Sequence, residues 1–180
     1  MGIGIRDSIA TGLDVPVRRQ KHSKHPSEEI SELKRLGHRS RRAEGVITNS
    51  ERRKWGEGIR TEVVNGIRAK RAASIEDGIL FLEVNPRYDR SGYYKEWVAR
   101  ALKSAPLTRT QQERLRRVIL KAIESERVGP EFTEYTRLAI VVADADFIRN
   151  IKSRPNSPRG WVQKRVNRLR ARLEQFCPHL

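Results

Sequence analysis

The stretch from Arg149 to Arg172 carries nine lysine or arginine residues and no aspartate or glutamate. Arginine offers a planar fork of N–H donors and lysine a compact ammonium group, and both bind phosphate oxygens. This run therefore predicts contact with a polyanion, above all with the phosphate backbone of a nucleic acid. Its candidate phosphate-binding residues are Arg149, Lys152, Arg154, Arg159, Lys164, Arg165, Arg168 and Arg172.

Aromatic side chains beside these cations could add stacking on unpaired bases. Trp161 lies four residues before Arg165 and is the main candidate for such a contact. Packing at the edge of the core is the favoured alternative, because Trp161 directly precedes the apolar residue Val162. A second group of aromatic and basic residues lies in a predicted loop and comprises Tyr88, Tyr93, Arg87 and Arg90.

The N-terminal segment, residues 1–45, carries a second set of cations. Its net charge is +4 and its apolar residues are sparse, so we predict a basic, partly extended arm that a partner orders. One short helix is expected between Ser27, a suitable N-cap, and Gly37, a suitable terminator. The candidate nucleic-acid-binding residues of the arm are Arg18, Arg19, Lys21, Arg41 and Arg42.

The composition of the whole chain agrees with a polyanionic partner. The 180 residues carry a net charge of +16, with 33% charged and 37% hydrophobic residues, so the free protein would repel itself. No apolar run is long enough to span a membrane. Nucleic acid is favoured over an anionic membrane surface or an acidic protein, so no membrane partner is expected. The single cysteine excludes an intramolecular disulfide and fits a reducing, cytoplasmic compartment.

The usual signatures of catalysis are missing from the sequence. It has no phosphate-binding glycine loop, no G-x-S-x-G and no H-E-x-x-H. Arg19 and His25 have the R-x5-H spacing that resembles the catalytic motif of the HEPN ribonucleases. In that family, however, the motif lies on a packed helix, whereas the arm has few apolar residues to pack. We therefore predict a protein that is not an enzyme and needs no cofactor or metal.

A predicted amphipathic helix over residues 157–176 positions most of the cations, with Ser157 as its cap. Its apolar residues recur at steps of four, three, four and three, which places them on one stripe. They are Val162, Val166, Leu169, Leu173 and Phe176. The basic residues fall on the other faces and are therefore expected to face solvent.

The remaining pattern predicts an all-α protein with a helical domain over residues 46–180. Four short-looped helices after residue 90 indicate an antiparallel bundle, with Thr110 capping the second and Gly129-Pro130 opening a long third. Residues 74–85 fit a strand or a helix, and helix is favoured because no partner strand is evident. An earlier helix is expected from Thr48, with a ridge of apolar residues and three glycines of undecided role.

These observations favour a noncatalytic nucleic-acid-binding subunit of a ribonucleoprotein assembly, with RNA preferred over DNA and other protein subunits as neighbours. The alternative is a DNA-binding regulator of helix-turn-helix type from a mobile element or phage, with its two helices inside residues 27–55. A nuclease and a viral structural protein facing the genome are further alternatives. The sequence specificity, the host complex and the oligomeric state stay open.

Overall fold

The computed structural model describes residues 57–87, 90–126 and 128–179, and this part of the chain is all-α, as predicted. Helix α1 consists of a π-helical stretch, Ile59–Val64, followed directly by an α-helical turn, Asn65–Arg68. The other six helices are α2 Ala72–Val84, α3 Ser91–Leu102, α4 Arg109–Glu124, α5 Glu131–Val142, α6 Ala145–Ser153 and α7 Gly160–Phe176. None of these seven is both long and apolar enough to cross a membrane.

The predicted ridge consists of Trp55, Ile59, Val63 and Ile67, at steps of four residues. Helix α1 buries the last three of these side chains in the core, and Trp55 lies outside the described residues. Steps of four residues drift around an α-helix of 3.6 residues per turn. A π-helix holds more residues per turn, so the π-helical stretch counteracts that drift. Gly66 has a packing role: a Cβ at this position would collide with Ser74 Oγ of α2.

Helix α1 ends in a Schellman motif with a lysine in the left-handed conformation. Lys70 has φ 57°, its N–H donates to Ile67 O at 2.8 Å, and the N–H of Arg71 donates to Gly66 O at 2.9 Å. These two bonds satisfy carbonyls that the helix end would otherwise leave unpaired. Helix α2 begins one residue later, so the two helices meet at a sharp corner.

The ambiguous segment 74–85 is helical up to Val84, as favoured from the sequence, and Asn85 ends the helix in the left-handed conformation. Within α2, Ile75, Ile79, Phe81 and Leu82 are all buried, so apolar side chains occupy more than one face of this helix. Gly78 lets neighbours approach, since a Cβ there would lie 2.7 Å from Ile67 Cδ1. The continuous apolar run therefore reflects a helix packed between α1, α3 and α4, not a strand.

Helix α5 is the central element and packs against α3, α4 and α7. The predicted long helix is nevertheless divided, because α5 ends at Val142 and α6 begins at Ala145. Asp144 between them is an N-cap whose Oδ1 accepts a hydrogen bond from Phe147 N at 2.8 Å. Five helices therefore follow residue 90 instead of four, and their antiparallel order stays a prediction.

Two helix starts differ from the sequence expectation. Helix α4 is opened by Thr108 and Gln111, which form a reciprocal capping box two residues before the predicted one at Thr110. Helix α7 begins at Gly160, and Ser157 accepts a hydrogen bond from Arg159 N in the connector instead of capping the helix. The predicted arm, residues 1–45, and the helix start at Thr48 lie outside the described residues.

Candidate nucleic-acid interface

Helix α7 has the predicted amphipathic character over most of its length. Val162, Val166, Leu169 and Leu173 are buried against the core, with α4, α5 and α6 as the packing partners. The fifth residue of the predicted stripe, Phe176, is 49% exposed because it lies at the end of the helix. The four buried residues fix the rotation of α7, and thereby decide which of its cations face solvent.

Lys164, Arg168 and Arg172 form a continuous basic row on α7, which we call the α7 ridge. They are four residues apart, so they lie on successive turns of one face. Lys164 and Arg168 are exposed, and Arg172 lies with its guanidinium 5.4 Å from the Phe176 ring centroid. Within the described residues none of the three has a carboxylate partner, which leaves their charges available to an external anion.

Arg165 has a different role, although it lies next to Lys164. Its Nη1 donates to the carbonyl oxygen of Ser125 at 2.5 Å and to those of Ala122 and Ile123 at 3.3 Å. These carbonyls terminate α4, where the negative end of the helix dipole attracts a cation. Arg165 therefore holds α7 against α4, and the donors of its Nη1 are already used within the fold.

Trp161 lies at the edge of the core, which is the position favoured for it from the sequence. Its indole is partly buried, and the guanidinium of Arg165 lies 4.6 Å from its ring centroid. The same guanidinium lies 5.4 Å from the ring centroid of Phe132 on α5. Such cation–π contacts favour a fixed position for both rings, so Trp161 contributes to the joint between α5 and α7.

Arg170 acts on α6 as Arg165 acts on α4. It donates to the carbonyl oxygens of Ile151 and Lys152, each at 3.1 Å, and of Arg154 at 2.5 Å. Arg170 is not among the phosphate-binding candidates, and the structure gives it a structural role. The sequence separates Arg170 from Arg168 only in part, because Arg170 lies nearer the apolar stripe on a helix of 3.6 residues per turn. The carbonyls that Arg170 meets depend on the packed position of the α6 end.

The other candidate cations divide into paired and unpaired ones. Arg154 forms an ion pair with Glu124 at 2.8 Å, and Arg149 forms one with Asp146 at 2.8 Å across two highly exposed side chains. Exposed pairs of the second kind contribute little and exchange readily with an external anion. Lys152 and Arg159 are exposed, and the described part of the chain offers them no ion pair.

A groove of about 670 Å³ adjoins the start of α7, and Arg154 and Arg159 lie in its wall. The polar residues Asn150, Ser153 and Ser157 also line it, and the buried residues Val162 and Val166 form its floor. The groove therefore places basic and hydrogen-bonding groups on the other flank of α7 from the ridge.

A second cavity, of about 570 Å³, contains most of the aromatic and basic group predicted near residue 90. Arg87, Arg90 and Tyr93 line it, together with the first turns of α3 and α5. Tyr88, the fourth residue of that group, lies outside the described residues. The buried charges of this cavity, Lys95 and Glu131, are not among the residues predicted from the sequence.

A periodicity signal for these two charges exists. Lys95, Val98 and Leu102 are spaced by three and four residues, as are the residues of the stripe that begins at Glu131 and continues through Tyr135 and Leu138. A charged residue that keeps the register of a buried stripe is expected to be buried itself. The number of charges in a segment carries no information on this spacing, so composition alone does not predict that Lys95 and Glu131 are buried.

The arm candidates Arg18, Arg19, Lys21, Arg41 and Arg42 lie outside the described residues, as do His25 and the predicted helix-turn-helix. In the described ranges no three His, Cys, Asp or Glu side chains come together as metal ligands. Comparison of the chain with protein-family models, curated proteins and solved structures found no match.

Proposed function

We propose that this chain is a noncatalytic nucleic-acid-binding subunit, with RNA favoured over DNA, that contacts phosphates through the α7 ridge. The observation that carries the proposal is the row formed by Lys164, Arg168 and Arg172. These three side chains project from a helix that four buried residues anchor to the core. A rigid row of cations one helical turn apart, about 5 to 6 Å, is close to the spacing of successive phosphates along a nucleic-acid strand.

The distribution of carboxylates supports this choice of surface. Arg114 on α4 is bound by Glu76 and Glu83 of α2, and Lys103 at the end of α3 is bound by Glu134 of α5. These two cations therefore stabilise contacts inside the protein. From Arg149 to Arg172 the sequence contains no acid at all, so a phosphate that approaches the ridge meets no competing charge on α7 before Glu174.

The energetic consequence is a strong dependence on salt. Each phosphate that a lysine or arginine neutralises releases condensed counterions, so affinity falls linearly on a log–log scale as salt rises. Lys152, Arg159 and the candidates of the arm would add further contacts of the same kind. A ribonucleoprotein assembly, in which RNA and other subunits surround the protein, is a setting that this distribution of charge suits.

The test is a charge reversal of the ridge. Lys164→Glu, Arg168→Glu and Arg172→Glu, combined in one variant, should weaken binding to a fluorescent single-stranded RNA about 100-fold or more at ~0.15 M salt. The slope of log affinity against log salt should also become shallower, by about 0.7 for each phosphate that the variant no longer neutralises. Fluorescence anisotropy measures the affinity and circular dichroism measures the helicity.

A matched control places the same change of charge on α4. Arg109→Glu, Arg117→Glu and Lys121→Glu alter three exposed side chains and shift the net charge equally. This control should lose much less affinity than the ridge variant. Equal losses in both variants would mean that the net charge alone attracts RNA and that α7 is no specific surface. Titrations with DNA of the same sequence decide between RNA and DNA.

A further inference from the structure

The cavity at the first turns of α3 and α5 contains a buried carboxylate that lacks a partner. Glu131 lines this cavity and is 4% exposed, and its Oε2 has no hydrogen-bond partner. Two glycines of the cavity wall make room for this carboxylate. A Cβ would lie 3.0 Å from Oε2 at Gly92 and 2.8 Å from it at Gly129. A buried acceptor without a donor is costly, so the site favours a ligand that brings N–H groups.

A buried lysine lines the same cavity as this carboxylate. Lys95 is 3% exposed, and its Nζ donates to Asn85 Oδ1 at 2.5 Å. An ammonium group has three donors, so Lys95 can donate to a ligand while it keeps Asn85. The cavity therefore combines a donor, Lys95, with an acceptor, Glu131, in one wall.

We propose that this cavity binds the guanine base of an unpaired nucleotide. The Watson–Crick edge of guanine presents the acceptor O6 beside the donors N1–H and N2–H, which matches one ammonium and one carboxylate. Adenine would turn its N1 acceptor, and cytosine its N3 acceptor, towards Glu131. Uracil would offer a single N–H. Proteins that recognise RNA by sequence read unpaired bases in this way, through hydrogen bonds to the base edge.

The mouth of the cavity has the other groups that a nucleotide needs. Tyr93 is 54% exposed and offers a ring for stacking, while Arg87 and Arg90 are exposed cations suited to phosphates. Arg165 connects this region to α7, because its guanidinium lies over Phe132, the residue after Glu131. The inference therefore deepens the proposed function and rests on it: the ridge holds the backbone and the cavity selects the base.

The experiment measures how tightly the full chain binds three single-stranded RNA decamers. The first contains only uridine, the second has a single central guanosine, and the third has inosine at that position and so lacks the N2 amine. We expect the guanosine decamer to bind about tenfold more tightly than the uridine decamer, with inosine intermediate. Glu131→Gln should abolish the preference for guanosine, since it removes one acceptor and the charge.

Three further variants keep the test valid if Glu131→Gln destabilises the protein. Gly92→Ala preserves every charge in a helix that tolerates alanine, yet its methyl group displaces the carboxylate, so it should also reduce the preference for guanosine. Tyr93→Ala should weaken the binding of all three decamers and of free GMP. Arg168→Glu should lower the affinity for all three decamers and leave the ratios of these affinities unchanged.

The outcomes separate the two proposals. Equal affinity of the wild-type protein for all three decamers, with loss of binding in the Arg168→Glu variant, would overturn the guanine cavity and leave the ridge intact. If no decamer binds, the proposed function fails, and titration of GMP against AMP by NMR still tests the cavity. Equal chemical-shift changes with GMP and AMP, or a GMP preference that persists in the Glu131→Gln variant, would overturn the guanine cavity.

Discussion

Arginines of identical chemistry have opposite roles on helix α7. Arg165 donates to three carbonyls at the end of α4, whereas Arg168, one turn further on, is exposed and has no ion pair in the described part of the chain. The sequence predicts that both are basic and off the apolar stripe. It does not predict which one meets the end of another helix, because that depends on how α4 and α7 cross.

This difference predicts opposite effects of two alanine substitutions. Arg165→Ala removes the donor to three partly buried carbonyls and should lower the free energy of unfolding by about 1–3 kcal/mol. Arg168→Ala touches nothing inside the fold and should change it by less than about 0.5 kcal/mol, while RNA affinity falls. Urea unfolding and anisotropy measure the two effects. A destabilised Arg168→Ala protein would contradict the assignment of that residue to the free surface.

Element boundaries are predictable where a periodic pattern ends at a cap, and unpredictable where an apolar run continues through one. The buried stripe of α7 follows directly from its spacing. A helix is favoured for residues 74–85 because no partner strand is evident, and α2 agrees with this prediction. The division between α5 and α6 escapes prediction because Ala143 and Ala145 both favour helix and flank Asp144. Arg116 reinforces this division, since it donates to Val142 O at 2.7 Å and pairs with Asp144 at 3.0 Å.

A substitution at Asp144 tests the importance of this boundary. Asp144→Ala removes the N-cap of α6 and the partner of Arg116, so we expect a loss of about 1–2 kcal/mol in unfolding free energy. Asp146→Ala is the control, because Asp146 is exposed and its one ion pair within the described ranges is with exposed Arg149. Its effect should stay within about 0.5 kcal/mol. If Asp144→Ala were as stable as the control, the cap would not be what separates the two helices.

At the scale of the whole molecule, charges are sorted between the interior and the surface. Glu134 is buried, and burial acts to raise the pKa of its carboxyl, but hydrogen bonds from Lys103 and Arg137 outweigh this and hold that pKa below its usual value. Lys95 shows the converse, because burial lowers its pKa to about 8 and nearby Glu131 offsets this only in part. Composition predicts the excess of positive charge but not which charges the fold encloses.

Lys95 makes the free energy of unfolding depend on pH. Below its folded-state pKa of about 8, Lys95 is protonated in the folded and the unfolded protein, and its burial cost is fully present. Above that pH the folded protein releases this proton first, so the unfolded state binds more protons and the free energy of unfolding rises with pH. From about pH 7.5 to 9.5 the rise should be about 2 kcal/mol.

Urea unfolding at several pH values measures this rise, and Lys95→Met should flatten it. The chosen window lies below the pH at which tyrosines normally ionise. Burial raises the pKa of Tyr135 further, so the folded protein does not release that proton within the window. Parallel profiles for the wild-type protein and Lys95→Met would show that the ammonium is hydrated in solution and that the cavity is more open than its walls suggest.

The corner between α1 and α2 offers a way to compensate for variants that weaken the protein. Lys70 adopts a left-handed conformation that a side chain makes unfavourable by about 1 kcal/mol and that glycine adopts freely. Lys70 is exposed, and the two hydrogen bonds of the corner are made by backbone atoms alone. The Lys70→Gly substitution would therefore raise the melting temperature without altering the ridge or the cavity. In that background, destabilising substitutions at Arg165 or Glu131 could be studied in folded protein.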